Sequence, residues 1–352
     1  MLLLFIFFLV LSLSSCASAP QEEAAVVLTE AEEASVEAPM GGDVEGASEY
    51  AVPEDLPVLS FNEIWSYLQA GREQALDRGY PITDLVYFGA EIDSYGRLTG
   101  VPDHRKAGRF PGRLHLALVC NSRGLAHFVL ESGSAVRRRL VADLLEAARN
   151  FDGLQIDFEL IPARDGAAFI SFLTELRAGL GDKLFSVALP ARRRAMADDV
   201  FDYAKIAPLA DRIFVMAYDE HWSSSEPGPI ASLDWCRAVA EHALKTVGPD
   251  KLIMGMPFYG RAWGSFNPFR AFFHSGIRRI MRENAVDGAE REQGVPYFSY
   301  ETSVTVTVYY EDVQSLNLKG SMYRDLGVTA VGFWSLGQED PGVWDFFRTP
   351  DK

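Results

Sequence analysis

The chain has 352 residues, with 33 Lys and Arg against 49 Asp and Glu, for a net charge of −16. That balance argues against a nucleic-acid partner, which a basic surface would announce. Three cysteines, one of them at position 16, are too few for a disulfide framework, and no His/Cys spacing suggests a structural zinc.

Residues 2–13, LLLFIFFLVLSL, are apolar over the length of a signal-peptide core and too short to span a bilayer comfortably. They run into LSSC, ending at Cys16, a stretch that resembles a bacterial lipobox. The resemblance implies cleavage before Cys16, lipid on its thiol, and a protein held at the cell envelope; acyl mass on the mature N-terminal peptide would show it. A plain signal peptide and an N-terminal anchor helix are the alternatives, and all three export the chain. Residues 17–49 carry nine acids (Glu22, Glu23, Glu30, Glu32, Glu33, Glu37, Asp43, Glu45, Glu49) and no Lys or Arg. With almost nothing to bury, this stretch is expected to be a solvated tether. The organisation expected is therefore a signal segment (1–16), an acidic tether (17–55) and one folded domain (56–352), acting as a monomer.

Within the domain, β-branched and aromatic runs alternate with amphipathic stretches. Strands are predicted at 63–68 (EIWSYL), 83–92 (TDLVYFGAEI), 114–120 (LHLALVC) and 153–159 (GLQIDFE). Four more are predicted at 184–190 (LFSVALP), 212–218 (RIFVMAY), 251–259 (KLIMGMPFY) and 330–336 (AVGFWSL). Residues 135–150 and 166–180 show helical spacing of apolar positions. Eight strands alternating with helices point to a (β/α)8 TIM barrel. The long interval before the eighth strand contains PYFSYETSVTVTVYY (296–310), whose alternation predicts a small β-hairpin inserted between strands seven and eight. An insertion there sits at the C-terminal mouth of a barrel, where active sites are built.

The fourth strand poses a chemical question. Gln155, Asp157 and Glu159 alternate along it and share one face, inward in a barrel, with Glu159 emerging at the mouth. An unpaired buried carboxylate is costly, so such residues are either salt-bridged structural groups or a site.

DGLQIDFE (152–159) resembles the strand-four signature of the chitinase-type glycoside hydrolases, family 18, which reads D-G-x-D-x-D-x-E; Gln155 replaces the middle Asp. MAYD (216–219), GMPFYGRAW (255–263) and GFWSLGQEDPGVWD (332–345) resemble that family's strand-six, strand-seven and strand-eight segments, in the right order. The family's strand-three Ser-x-Gly-Gly is missing; ALVCNSRG (117–124) stands there. Gln155 resembles the amide found at that place in bacterial relatives acting on peptidoglycan.

The resemblance implies a retaining glycosidase acting on N-acetylglucosamine-containing glycans, chitin fragments or peptidoglycan, with no cofactor and no metal. It implies Glu159 as general acid and base, Asp157 as the group that orients the substrate's acetamide, and Tyr218 as its hydroxyl partner. Asp152 is expected to lie below Asp157 and share hydrogen bonds or a proton with it, and Gln155 to fix Asp157 by hydrogen bonds. Trp334 is expected to floor the site, with Asp219, Tyr259 and Arg261 as substrate-binding walls; Trp222 and Trp263 are further groove aromatics. Two other classes stay open: a sugar-binding protein on the same barrel without turnover, and a metal-dependent hydrolase using Asp152, Asp157 and Glu159 as oxygen ligands.

Overall fold

A computed structural model describes residue 53 and residues 55–264, 271–302 and 304–350. The expected signal segment, Cys16 and nearly all of the expected tether lie outside the described residues. Eight parallel strands form the centre: β1 (Glu63–Gln69), β2 (Asp84–Ile92), β3 (Arg113–Cys120), β4 (Gly153–Phe158), β5 (Leu184–Pro190), β6 (Arg212–Met216), β7 (Leu252–Pro257) and β8 (Ala330–Trp334). Each pairs with the next, and β1 also pairs in parallel with β8, Val331 opposite Ile64, so the sheet closes on itself. The (β/α)8 barrel read from the sequence is the fold observed, with every predicted barrel strand present.

The helices close over the outer face because their apolar residues recur along one stripe. Helix Gly166–Gly179 buries Phe169, Phe172, Leu173 and Leu176, the i, i+3, i+4, i+7 spacing of a core-facing helix. Cys120 and Cys236 are both buried and unbridged.

The barrel interior is stacked in layers, as inward side chains from alternate strands require. At the N-terminal end, Asp84 accepts from Arg113 Nε (2.6 Å) and lies 2.7 Å from His115 Nε2, while Glu63 accepts from Arg212 (2.7 Å). Trp65 stacks on His115, ring centroids 4.5 Å apart. Above them Phe214 and Tyr67 meet edge to face at 5.1 Å. Phe214 fits because Gly255 and Gly332 stand beside it: a Cβ at either position would fall 2.7 Å and 2.2 Å from its ring.

The insertion between β7 and β8 is larger than the hairpin expected. It is a five-stranded antiparallel sheet in the order 271–273, 259–263, 305–309, 295–301, 290–292, with helix His274–Glu283 packed on one face. Ala262, Ile277, Met281, Phe298, Val306, Val308 and Tyr310 form its own small core. Its outer strands have three residues each, too short to show a period in sequence. Its strand Tyr259–Trp263 follows directly on β7, so the two read in sequence as one apolar run.

Candidate active site

The C-terminal mouth of the barrel gathers most of the predicted residues. Asp157 is the penultimate residue of β4, 3% exposed, and its inward face carries it above Gln155. Burial raises its carboxyl to about 7. Its Oδ1 is buried and has no hydrogen-bond partner among the described residues. A buried carboxyl oxygen left without a donor is the arrangement that reserves an acceptor for a ligand N–H or O–H. Glu159 follows β4, held in line by its backbone N–H donating to Cys120 O at 3.2 Å, and its side chain is half-buried. Two residues along a strand put it ~7 Å farther toward solvent on the same face.

Tyr218 follows β6 and is half-buried. Burial, then the nearby Tyr67, Asp157, Tyr259 and Glu159, push its hydroxyl well above the ordinary tyrosine range, so it stays a proton donor. Trp334 ends β8, half-buried, with Tyr67 and Phe88 set edge to face at 5.0 and 4.8 Å. Its carbonyl accepts from Phe258 N–H (2.8 Å), and Leu336 N–H donates to Tyr67 O (3.0 Å), which holds the backbone on either side of the indole.

Asp219, Tyr259 and Arg261 form one unit. Asp219 Oδ1 accepts from Tyr259 OH (2.7 Å), Arg261 Nε (3.0 Å) and Arg261 Nη2 (2.6 Å). Asp219 has φ of 60°, a left-handed turn that aspartate tolerates better than most residues. The pairing ties the insertion to the β6 loop. Tyr259 and Arg261 are 3% and 2% exposed, so of the three expected walls it is Asp219 that reaches solvent. Trp263 is buried, its Nε1 donating to Trp222 O at 3.3 Å, while Trp222 is only partly covered.

Two expectations are corrected. Asp152 does not lie below Asp157: it is exposed at the N-terminal end of β4, where Oδ2 accepts from Leu114 N–H at 2.8 Å. Asp152, Asp157 and Glu159 therefore do not converge, and they cannot together ligate one metal ion. Gln155, expected to bind substrate and to fix Asp157, is instead completely buried, with no hydrogen bond to Asp157 among the described residues; it accepts from Tyr67 OH (2.5 Å) and donates to Ser186 Oγ (3.2 Å). Tyr67 and Ser186 are not among the residues predicted from sequence. A signal for Tyr67 is present there, since Glu63, Trp65 and Tyr67 alternate on the inward face of β1.

Tyr67→Phe is expected to leave Gln155 Oε1 buried without its donor, at a cost of about 1–3 kcal/mol. A small sag of the layer beneath Asp157 would then lower kcat by up to ~10²-fold, as misplacement of a reacting group does. Thermal melts and single-substrate kinetics on the purified variant check both.

Comparison with known proteins bears on the family and the fold. The family model described as glycosyl hydrolases family 18 matches residues 127–339. A Bacillus subtilis (strain 168) protein named as a sporulation-specific glycosylase is 32% identical over 242 residues, covering 63% of this chain and 56% of that one. The cortical fragment-lytic enzyme of the same organism is 26% identical over 235 residues, covering 61% of this chain and 54% of its own length. The chain thus spans little more than half the length of these curated relatives. The crystal structure of the Bacillus cereus spore cortex-lytic enzyme SleL superposes with a TM-score of 0.73 at 20% identity, over 82% of this chain and 74% of that one, a likeness of fold. With the family's model spanning β4 to β8 and the acids of β4 at the mouth, the chain belongs to family 18 of the glycosyl hydrolases.

Proposed function

We propose that the domain hydrolyses β-linked N-acetylglucosamine glycans with retention of configuration, using the substrate's own acetamide as nucleophile. The observation that carries this reading is Asp157: buried, raised in pKa, with an unclaimed oxygen, and near Tyr218, whose hydroxyl it and Glu159 both influence. Family 18 is among the exceptions to two-carboxylate catalysis. Two other acids of the motifs are poorly placed to serve as an enzyme nucleophile. Asp152 is at the far end of β4, and Asp219 is held by Tyr259 and Arg261.

In the first step Glu159 gives its proton to the leaving oxygen as the glycosidic bond breaks. The acetamide oxygen attacks the anomeric carbon from the opposite face, Tyr218 OH holding that oxygen in line. Asp157 accepts from the acetamide N–H and, ionised, stabilises the positive oxazolinium ring. In the second step Glu159, now a carboxylate, takes a proton from water. That water opens the ring at the anomeric carbon, and Glu159 ends protonated again. The two displacements restore the starting configuration. Trp334 supplies an apolar platform under the sugar ring. Gln155 cannot titrate, so Asp157 has no carboxyl neighbour below with which to share a proton.

The names of relatives that act on cortical material favour a bacterial cell-wall glycan over chitin as the substrate. The test is digestion of a panel of chitin oligosaccharides and peptidoglycan, with new reducing ends identified by mass spectrometry. Every new reducing end is expected to be N-acetylglucosamine, whose own acetamide serves as the nucleophile. New reducing ends on a sugar without an acetamide would contradict the reading. A non-hydrolytic sugar-binding protein would leave the whole panel intact.

A further inference from the structure

The loops that follow β3, β4 and β5 carry exposed cations in a chain that is strongly acidic overall. Arg123 opens helix Arg123–Leu130 just past β3, Arg164 follows Glu159 on the β4 loop, and Arg194 follows β5. All three are exposed, and none forms an ion pair among the described residues. Two of the acids nearest them in sequence are already taken: Asp165 holds His127 Nδ1 at 3.0 Å, and Asp199 holds Arg192 Nε at 2.7 Å. Asp198 is exposed on the same loop as Arg194.

These loops are contiguous. The His127–Asp165 contact joins the helix after β3 to the β4 loop. Phe169, on the helix after β4, meets Phe201 edge to face at 6.3 Å, and Arg192 lies 5.9 Å over that same Phe201 ring. The three arginines therefore belong to one side of the mouth, the side on which Glu159 emerges from β4.

An uncharged N-acetylglucosamine polymer offers such a rim nothing to pair with. A glycan carrying carboxylates does: guanidinium–carboxylate contacts are charge-assisted and directional, and a rim whose exposed arginines outnumber its exposed acids draws the opposite charge. We infer that this arginine rim selects carboxylate-bearing N-acetylhexosamine glycans over neutral ones, an inference that rests on the hydrolase reading above. The carboxylate comes from an acid ether on the sugar itself or from a peptide attached to it.

The test compares the full chain with its Arg123→Gln/Arg164→Gln/Arg194→Gln variant on three glycans of equal length. One is neutral oligo-N-acetylglucosamine, one has lactyl ethers on alternate sugars, and one carries short peptides on those ethers. All three positions are on the surface, so the variant should melt with the parent. The inference requires kcat/KM to fall about tenfold or more on at least one acidic glycan, as loss of rim charge pairs does. The neutral oligomer should stay within about twofold, and added salt should weaken the parent's preference in the same direction. A peptide joined to the ether takes up the ether's carboxyl as an amide, so loss on the lactyl-ether glycan alone assigns the contacted carboxylate to the sugar ether, loss on the peptide-bearing one alone assigns it to the peptide, and loss on both shows that the rim takes a carboxylate from either. Equal rates for parent and variant on every glycan, or equal losses on all three, would overturn the rim's role while leaving the hydrolase reading intact. If the parent cleaves none of them the hydrolase reading falls, and calorimetric binding of the same three glycans then decides the rim: no preference for the acidic ones would overturn it.

Discussion

Glu159→Gln should lower kcat by ~10²–10⁴-fold, the contribution of a positioned general acid, with the fold retained. The change preserves shape and the ability to hydrogen-bond but removes the proton that the leaving oxygen needs. The same group must then act as base on water, so both steps should suffer. Because Glu159 is half-buried at the open end of β4, its amide is not forced into a dry environment, and the melting temperature should move little. Stopped assays on a chromogenic N-acetylglucosaminide, together with a thermal melt, separate lost chemistry from lost structure. Turnover within a few-fold of the parent would remove Glu159 from the mechanism.

Asp157→Asn should be nearly as damaging to activity and opposite in its effect on stability. An amide cannot stabilise the positive ring by charge, and loss of one preorganised electrostatic group costs about 10²–10³-fold in kcat. Stability responds to the raised pKa. A carboxyl whose folded value stands at about 7, above its unfolded value, folds best when protonated. Its contribution is fully present below the unfolded value of about 4 and is lost as pH rises toward and through the folded one. The parent should therefore lose stability across that window, by up to a few kcal/mol, because each tenfold difference in proton affinity between the folded and unfolded chains is worth about 1.4 kcal/mol. Asp157→Asn should show no such loss. At pH 8 the variant should be the more stable protein while being the poorer enzyme; near pH 4 the two should melt together. Denaturant titrations at several pH values give this directly, and parallel pH profiles for the two proteins would contradict it.

The barrel is legible in the sequence because its strands obey a simple rule. Strands buried on both faces read as short apolar runs, and every one of the eight is present in the structure within a few residues. The inward face of β4 is legible for the same reason: Gln155, Asp157 and Glu159 share parity. Asp152 breaks that parity, which is why the motif alone misplaces it. It stands five positions from Asp157, an odd number, and it precedes the strand, so it meets the backbone of Leu114 rather than the site. Gln155's true partners are invisible in sequence because Tyr67 and Ser186 come from other strands, and register across a barrel is not written in any one segment. The insertion is larger than its sequence suggests because its edge strands are three residues long and its strand Tyr259–Trp263 continues an apolar run without a break. The clamp of Asp219 by Tyr259 and Arg261 joins two segments separated by some forty positions; the motifs name the residues, and the fold alone supplies their geometry.

If no enzyme carboxylate attacks the sugar, the substrate must bring its own nucleophile. Proton NMR of the first product formed from an N-acetylated β-linked oligosaccharide, run beside its de-acetylated counterpart, tests this most directly. Initial β-anomer is expected from the acetylated chain, with no turnover of the glucosamine chain even where it binds. Initial α-anomer, or comparable rates on the two substrates, would show that the acids of β4 work by another route.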